Sequence, residues 1–343
     1  MVSLSEVQAS NARIASELPS GLVAVFIGAT SGIGEYTLKK FAKHARNPRV
    51  YFIGRSQEAG NLISAECLAM NPGGKFEFIK ADTSLIRNVD NVCRDIKSKE
   101  ESINLLFLTI GTLVARSATS EGLHMATALI HHCRARFILN LLPRLQKASD
   151  LRRVVTVGAA GFEGPVDVND FQAWKVPLLA MRGHGCSVVT LSLEELAKNA
   201  PDVSFIHNYP GSVQSNLARK GQGVTIAVIR NIYRVLSPFL SPMPNEECGE
   251  RQLFQATSAR YPAGTGGKPT SGVPVATGIE LVRGTNGEIS SGVYSLDKDG
   301  ESTDPKVGEL LANLRKEHVG EKAWKHTEEE FQRITGAAAS ETN

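Results

Sequence analysis

The stretch LVAVFIGATSGIGEYTLKKFAKHA, residues 22–45, decides the fold. Leu22 to Ile27 is an unbroken apolar run, the pattern of a strand buried on both faces of a parallel sheet. Gly28, Gly32 and Gly34 follow, and then Tyr36, Leu38, Phe41 and Ala42 recur at helical spacing. A buried strand that breaks through glycines into a helix has the build of a phosphate cradle. Gly28 permits the tight turn, Gly32 lets backbone N–H groups approach a pyrophosphate, and Gly34 lets the helix close on the strand. The helix N-terminus then turns its positive dipole end towards the anion. In that setting Gly28, Thr30, Ser31, Gly32, Ile33 and Gly34 are expected to cradle a dinucleotide.

Working outward, the alternation repeats. Apolar runs at 49–54, 75–81, 103–111, 152–160 and 203–211 read as strands, and segments 57–70, 84–100, 121–147 and 177–199 as helices. SGVYSLD (291–297) reads as a last strand. The expected fold is therefore α/β, a Rossmann-type doubly wound parallel sheet of about seven strands, with a C-terminal helical and loop extension. Residues 1–20 read as an N-terminal arm and 21–300 as the main domain. Within it, 216–245 is an apolar segment suited to a substrate lid, 246–258 a helix, and 261–290 a loop rich in Gly, Pro, Ser and Thr. Residues 301–343 form a charged tail, helical over 303–335.

Composition narrows the partners. The chain has 343 residues with a formal net charge of +3, too small to argue for nucleic acid. Five scattered cysteines with no CxxC pair argue against a disulfide framework or a zinc site, and favour a reducing, cytoplasmic compartment. The start lacks the cationic and apolar regions of a signal peptide, and no run of 18 uncharged apolar residues occurs. The long apolar segment is expected to cover a small hydrophobic substrate, with a homo-oligomer interface or a peripheral membrane contact as alternatives.

GATSGIG, together with INLLFLTIGTL, ARFILNLLP, ERQLFQATSARYP and SGVYSLD, resembles the short-chain dehydrogenase/reductase family. The resemblance runs from about residue 20 to 217, more weakly to 300. More narrowly, the chain resembles fungal members of secondary-metabolite pathways. This implies a nicotinamide dinucleotide. The second strand ends Ile53-Gly54-Arg55-Ser56, without the acid that holds the ribose 2′-OH of NAD. Arg55 can pair with a 2′-phosphate, which favours NADP(H), or can be an ordinary surface arginine. By resemblance, Asp82 and Thr83 contact adenine, although Asp82 also suits a helix N-cap. Gly111 is what remains of the family's Asn-Asn-Ala-Gly, and Pro210, Gly211, Val213 and Ser215 match the segment that binds the carboxamide.

The family's proton-transfer set does not carry over. Its Ser falls on Ala159, its Tyr on Leu178, its Lys on Arg182 and its Asn on Ile130. Tyr36–Lys40 and Tyr294–Lys298 have the Tyr-to-Lys spacing but lie elsewhere in the fold. Arg182 can keep the electrostatic part of the Lys role, though it stays ionised and shuttles no proton. His184 is the candidate acid or base. Tyr209 reads mainly as packing near a strand end. His131, His132 and Cys133 do not have a metal-ligand spacing. Three functions follow: NADP(H)-dependent carbonyl reduction or alcohol oxidation with an atypical proton donor, a non-redox isomerase, cyclase or dehydratase, and a non-catalytic dinucleotide-binding protein.

Overall fold

The computed structural model describes residues 1–112, 116–213, 242–264 and 272–337. Seven strands form one parallel sheet in the order 3-2-1-4-5-6-7. They are β1 (Val23–Ile27), β2 (Arg49–Gly54), β3 (Lys75–Lys80), β4 (Leu105–Leu108), β5 (Arg153–Val157), β6 (Ser204–Asn208) and β7 (Val293–Leu296). The expected doubly wound sheet is therefore present. The unbroken apolar run of β1 has a direct cause: Val23, Val25 and Ile27 face one core layer, while Ala24 and Phe26 face the other.

The helices in chain order are α1 (Leu4–Ala12), α2 (Ile14–Glu17), α3 (Gly32–His44), α4 (Gln57–Met70), α5 (Ile86–Lys99) and α6 (Met125–Thr127). A π turn, Ala128–His132, leads from α6 into α7 (Cys133–Gln146). They are followed by α8 (Leu178–Lys198), α9 (Asn245–Thr257), α10 (Pro305–Lys316) and α11 (Val319–Thr335). One face of the sheet carries α3, α4 and α9; the other carries α5, α7 and α8, with α11 packed against α5 and α8.

Both ends of the chain dock on this frame. A capping box between Ser3 and Glu6 starts α1. Asn11 then donates to the Glu250 carbonyl (2.9 Å) and carboxylate (2.7 Å) on α9. At the other end, Phe331 and Ile334 of α11 enter the core, and Arg315 of α10 pairs with Glu194 at 2.9 Å.

The N-cap reading of Asp82 is corrected. The cap position of α5 is Leu85, and the carboxylate of Glu121 accepts from the N–H groups of Ile86 (2.6 Å) and Arg87 (3.1 Å). Asp82 accepts instead from the Ser84 N–H (3.0 Å) and hydroxyl (2.8 Å). A carboxylate 35 positions from Ile86 takes first-turn N–H groups that have no partner within the helix.

The two Tyr-to-Lys pairs are used structurally. Lys40 bridges from α3 to Glu246 (2.5 Å) and Glu250 (2.9 Å) on α9. Tyr294 is buried and donates to the Pro262 carbonyl at 2.6 Å, while Lys298 pairs with Asp299. All five cysteines are free and buried. No helix among the described residues is long and apolar enough to cross a membrane, and no metal-binding cluster occurs among them. Of the expected lid, 216–241 lies outside the described residues, as does Ser215.

Candidate functional site

The cradle sits where the sheet order reverses, between β1 and β4, the place where ligands enter folds of this kind. Gly28 has φ +88° and Gly32 φ +63°, values a side chain rarely adopts. Gly34 has a different reason: a Cβ there would lie 2.7 Å from the Gly28 carbonyl oxygen and 2.7 Å from Thr109 Oγ1. The Thr109 hydroxyl lies 3.0 Å from both the Ile27 and the Gly28 carbonyls, tying the end of β4 to the turn. Ser31 occupies the N-cap of α3 without a side-chain cap bond, so its hydroxyl accepts from none of the first-turn N–H groups.

Towards the edge strands, Thr30 packs against Gly54. A Cβ on Gly54 would fall 2.4 Å from Thr30 Cγ2, so these two residues set how closely the turn approaches β2. Arg55 follows and is exposed. Lys80, also exposed, ends β3 in register with Gly54. A cavity of about 640 Å³ opens there, lined by Arg55, Lys80, Ala81, Asp82, Asn88 and Asn91 among others. Thr83 is buried. Sequence reading did not single out Lys80; only the β2–β3 register reveals it.

The other half of the crevice is bordered by β4, β5 and β6. Ala159 follows β5, Gly111 follows β4, and Ile130 lies in the π turn. Pro210 and Gly211 (φ +79°) follow β6, and Val213 forms a bridge to Met243. Leu178 and Arg182 lie on the first turns of α8. Arg182 is exposed and stacks 3.4 Å above the Phe162 ring and 5.6 Å from the Tyr209 ring. Those rings meet edge to face at 5.2 Å.

His184 has a different setting from Arg182. It is 1% exposed. Its Nδ1 accepts from the Asp167 N–H and its Nε2 lies by the Phe171 carbonyl, both at 3.3 Å. Those partners assign the Nε2–H tautomer and hold the 167–171 loop. Both ring nitrogens are thereby taken by backbone. Beside it, the Cys186 thiol donates to the Ala159 carbonyl at 3.1 Å, and burial pushes its pKa up to about 12.

Beneath Ala159 lies a buried polar chain that sequence reading missed. Glu163 accepts from the Gly161 N–H (2.7 Å), the Thr190 hydroxyl (2.9 Å) and the Ser295 hydroxyl (2.7 Å). Thr190 Oγ1 in turn accepts from His207 Nδ1 at 2.9 Å, and His207 Nε2 accepts from the Ala159 N–H at 3.3 Å. Burial holds the imidazole neutral, drawing its pKa down despite the carboxylate 3.9 Å away. The chain ties β5, α8, β6 and β7 together under the crevice.

Known proteins place this geometry. The model of the short chain dehydrogenases matches residues 22–133. "Oxidoreductase AN1596" of Emericella nidulans is 40% identical over 333 residues, covering 96% of this chain and 97% of that protein. "Short-chain dehydrogenase/reductase SAT2" of Stachybotrys chartarum is 32% identical, covering 91% and 93%. The chain belongs to the short-chain dehydrogenase/reductase family. L-sorbose reductase from Gluconobacter frateurii, solved with NADPH and L-sorbose, shares the fold with a TM-score of 0.51 at 16% identity, covering 69% of this chain and 90% of that one. An uncharacterised protein from Mycobacterium paratuberculosis does so with 0.54 at 18%, covering 93% and 97%. Kinship thus puts the protein among the oxidoreductases of the short-chain dehydrogenase/reductase family.

Proposed function

We propose that the protein is an NADP(H)-dependent oxidoreductase that interconverts a hydrophobic carbonyl compound and its alcohol, with a proton donor other than the family's tyrosine. The observation that carries the reading is the paired cation at the edge of the cradle. Arg55 directly follows Gly54 at the end of β2, and Lys80, in register with Gly54, ends β3; both line an open cavity, and no acid stands at the end of β2. That charge suits a 2′-phosphate and repels no part of it. The cradle itself fits a pyrophosphate, because a Cβ at Gly34 would fill the closest approach of turn and helix. Among fold relatives, L-sorbose reductase was solved with NADPH, in keeping with this reading.

The bound coenzyme supplies the hydride chemistry. This chain's residues then bind, orient and supply the proton. Gly28 to Gly34 hold the pyrophosphate, Arg55 and Lys80 the 2′-phosphate, and Gly111, Pro210, Gly211 and Val213 border the nicotinamide half. Arg182 places a fixed positive charge on the substrate side. Tyr209, whose ring stands beside that charge, or water entering at this exposed edge, delivers the proton to the carbonyl oxygen. Phe162 (43% exposed), Leu178 (48%) and Leu179 (97%) form an apolar rim around Arg182, which supports a bulky hydrophobic substrate. Fungal kinship supports a place in secondary metabolism, on a polyketide or terpenoid-like compound.

The cofactor preference has a direct check. The double variant Arg55→Ala, Lys80→Ala is expected to weaken NADPH binding about 100-fold while changing NADH binding little, since two charge-assisted contacts are lost. The reaction class is tested by following NADPH absorbance with a panel of hydrophobic ketones. Ketone-dependent oxidation of NADPH supports the proposal. A second reading, a non-redox isomerase, cyclase or dehydratase, is favoured by Leu178 standing where the family has its phenol. Product formed without consumption of NADPH would establish it instead.

A further inference from the structure

We propose that Arg134 binds the nicotinamide half of the dinucleotide, its guanidinium donating to oxygen on that half, the ribose hydroxyls being the acceptors it offers. This rests on the NADP(H) reading above. Arg134 lies on α7, just past the π turn, and is 5% exposed. Its Nε donates to the carbonyls of Ile110 (3.1 Å) and Leu129 (3.3 Å), Nη1 to that of Val157 (2.7 Å), and Nη2 to that of Ile110. Ile110 lies just beyond β4 and Val157 ends β5. The side chain thus fixes the two strand ends that border the second half of the crevice, on the far side of the switch point from Arg55 and Lys80.

Two features of this clamp are unexplained by packing. First, every bonded partner is a backbone carbonyl, and no carboxylate pairs with the guanidinium among the described residues. Burial draws its pKa down to about 10, which still leaves it charged at neutral pH. A guanidinium has five N–H groups, and the second N–H on each of Nη1 and Nη2 has no acceptor among the described residues. Idle donors on a buried cation are costly, and a ligand oxygen would satisfy them. Second, Gly111 is not required by its own surroundings. Its φ is not positive, and a Cβ there would make only ordinary contacts, 3.9 Å to Arg134 Nη2 and 4.0 Å to Ile130 Cγ2. With no side chain at Gly111, no Cβ stands over Arg134 Nη2 at that distance.

The test is calorimetric titration of wild type and Arg134→Met with NADPH and with 2′,5′-ADP, which carries only the adenosine half. Arg134→Met is expected to weaken NADPH about 10- to 100-fold, the loss of charge-assisted hydrogen bonds, and to leave 2′,5′-ADP binding unchanged. Added guanidinium ion should restore part of the NADPH affinity. Unchanged NADPH affinity, or equal weakening of both ligands, overturns the proposal and reduces Arg134 to a structural clamp. If Arg134→Met does not fold, Gly111→Ala decides. It is expected to fold normally and to weaken NADPH alone; unchanged NADPH binding overturns the proposal. Wild type that binds neither ligand sinks the NADP(H) reading itself, a different result from a variant that binds as wild type does.

Discussion

Gly34→Ala is expected to abolish dinucleotide binding and to lower the melting temperature. The added methyl would lie 2.7 Å from the Gly28 carbonyl oxygen, 2.7 Å from Thr109 Oγ1 and 2.9 Å from the Ala29 Cα. Two of those three atoms are backbone and cannot turn aside, so α3 must move away from the turn. Overpacking of this kind costs about 1–3 kcal/mol, or roughly 1–5 °C in melting temperature for a domain of this size. Binding suffers far more. Displacing α3 moves its N-terminal N–H groups off the pyrophosphate position, and oriented donors lose their value steeply with distance. Thermal unfolding and NADPH titration of the same variant check both halves of the statement. A variant that binds NADPH normally would show that the close approach of turn and helix is incidental.

The second large effect is a loss of stability in mild acid. His131 and His132 are fully buried between the π turn and α11, near His326 and His184. His131 Nε2 lies 2.7 Å from the Thr327 hydroxyl, which itself donates to the Ala323 carbonyl, so the ring is the donor there. Burial, helped by the neighbouring imidazoles, pushes His131 well below its usual pKa. Burial and His326 push His132 down to about 3. The sign follows. The folded protein keeps these rings neutral, whereas in the unfolded chain they take up protons near pH 6.5. Their neutral burial costs nothing above about pH 6.5, and stability falls as the pH drops from there towards the folded-state values. Each ring contributes a slope of about 1.4 kcal/mol per pH unit in that window. For His132 alone this gives about 2–3 kcal/mol between pH 6.5 and 4.5, and His131 acts in the same direction. Denaturant unfolding at pH 7.5 and pH 5 measures it. His132→Gln, which removes one titrating ring, should reduce the slope; the same slope in the variant would place the acid sensitivity elsewhere.

How much of this was legible in the sequence differs by the range of the interaction. The strands were readable because a doubly buried parallel strand writes itself as an apolar run, as Leu22–Ile27 does. The cradle was readable because the glycine requirements at 28, 32 and 34 are local in chain. What escaped depends on register or on distant partners. Lys80 joins Arg55 only through the pairing of Gly54 with Lys80. Asp82 lost the cap of α5 to Glu121, a competitor invisible to a local rule. Arg134, in an apolar helical stretch, read as nothing in particular until the carbonyls of Ile110 and Val157 came together around it. The residue type of His184 suggests an acid or base, while its bonding to Asp167 and Phe171 depends on a loop folding back on α8.

The proposed crevice between β1 and β4 grips a phosphorylated nicotinamide dinucleotide. Calorimetric titration of the wild-type protein with NADPH and, separately, with NADH tests it most directly. One saturable site for NADPH, with distinctly weaker binding of NADH, is the result the structure predicts. No heat from either nucleotide, or equal affinity for both, would contradict it.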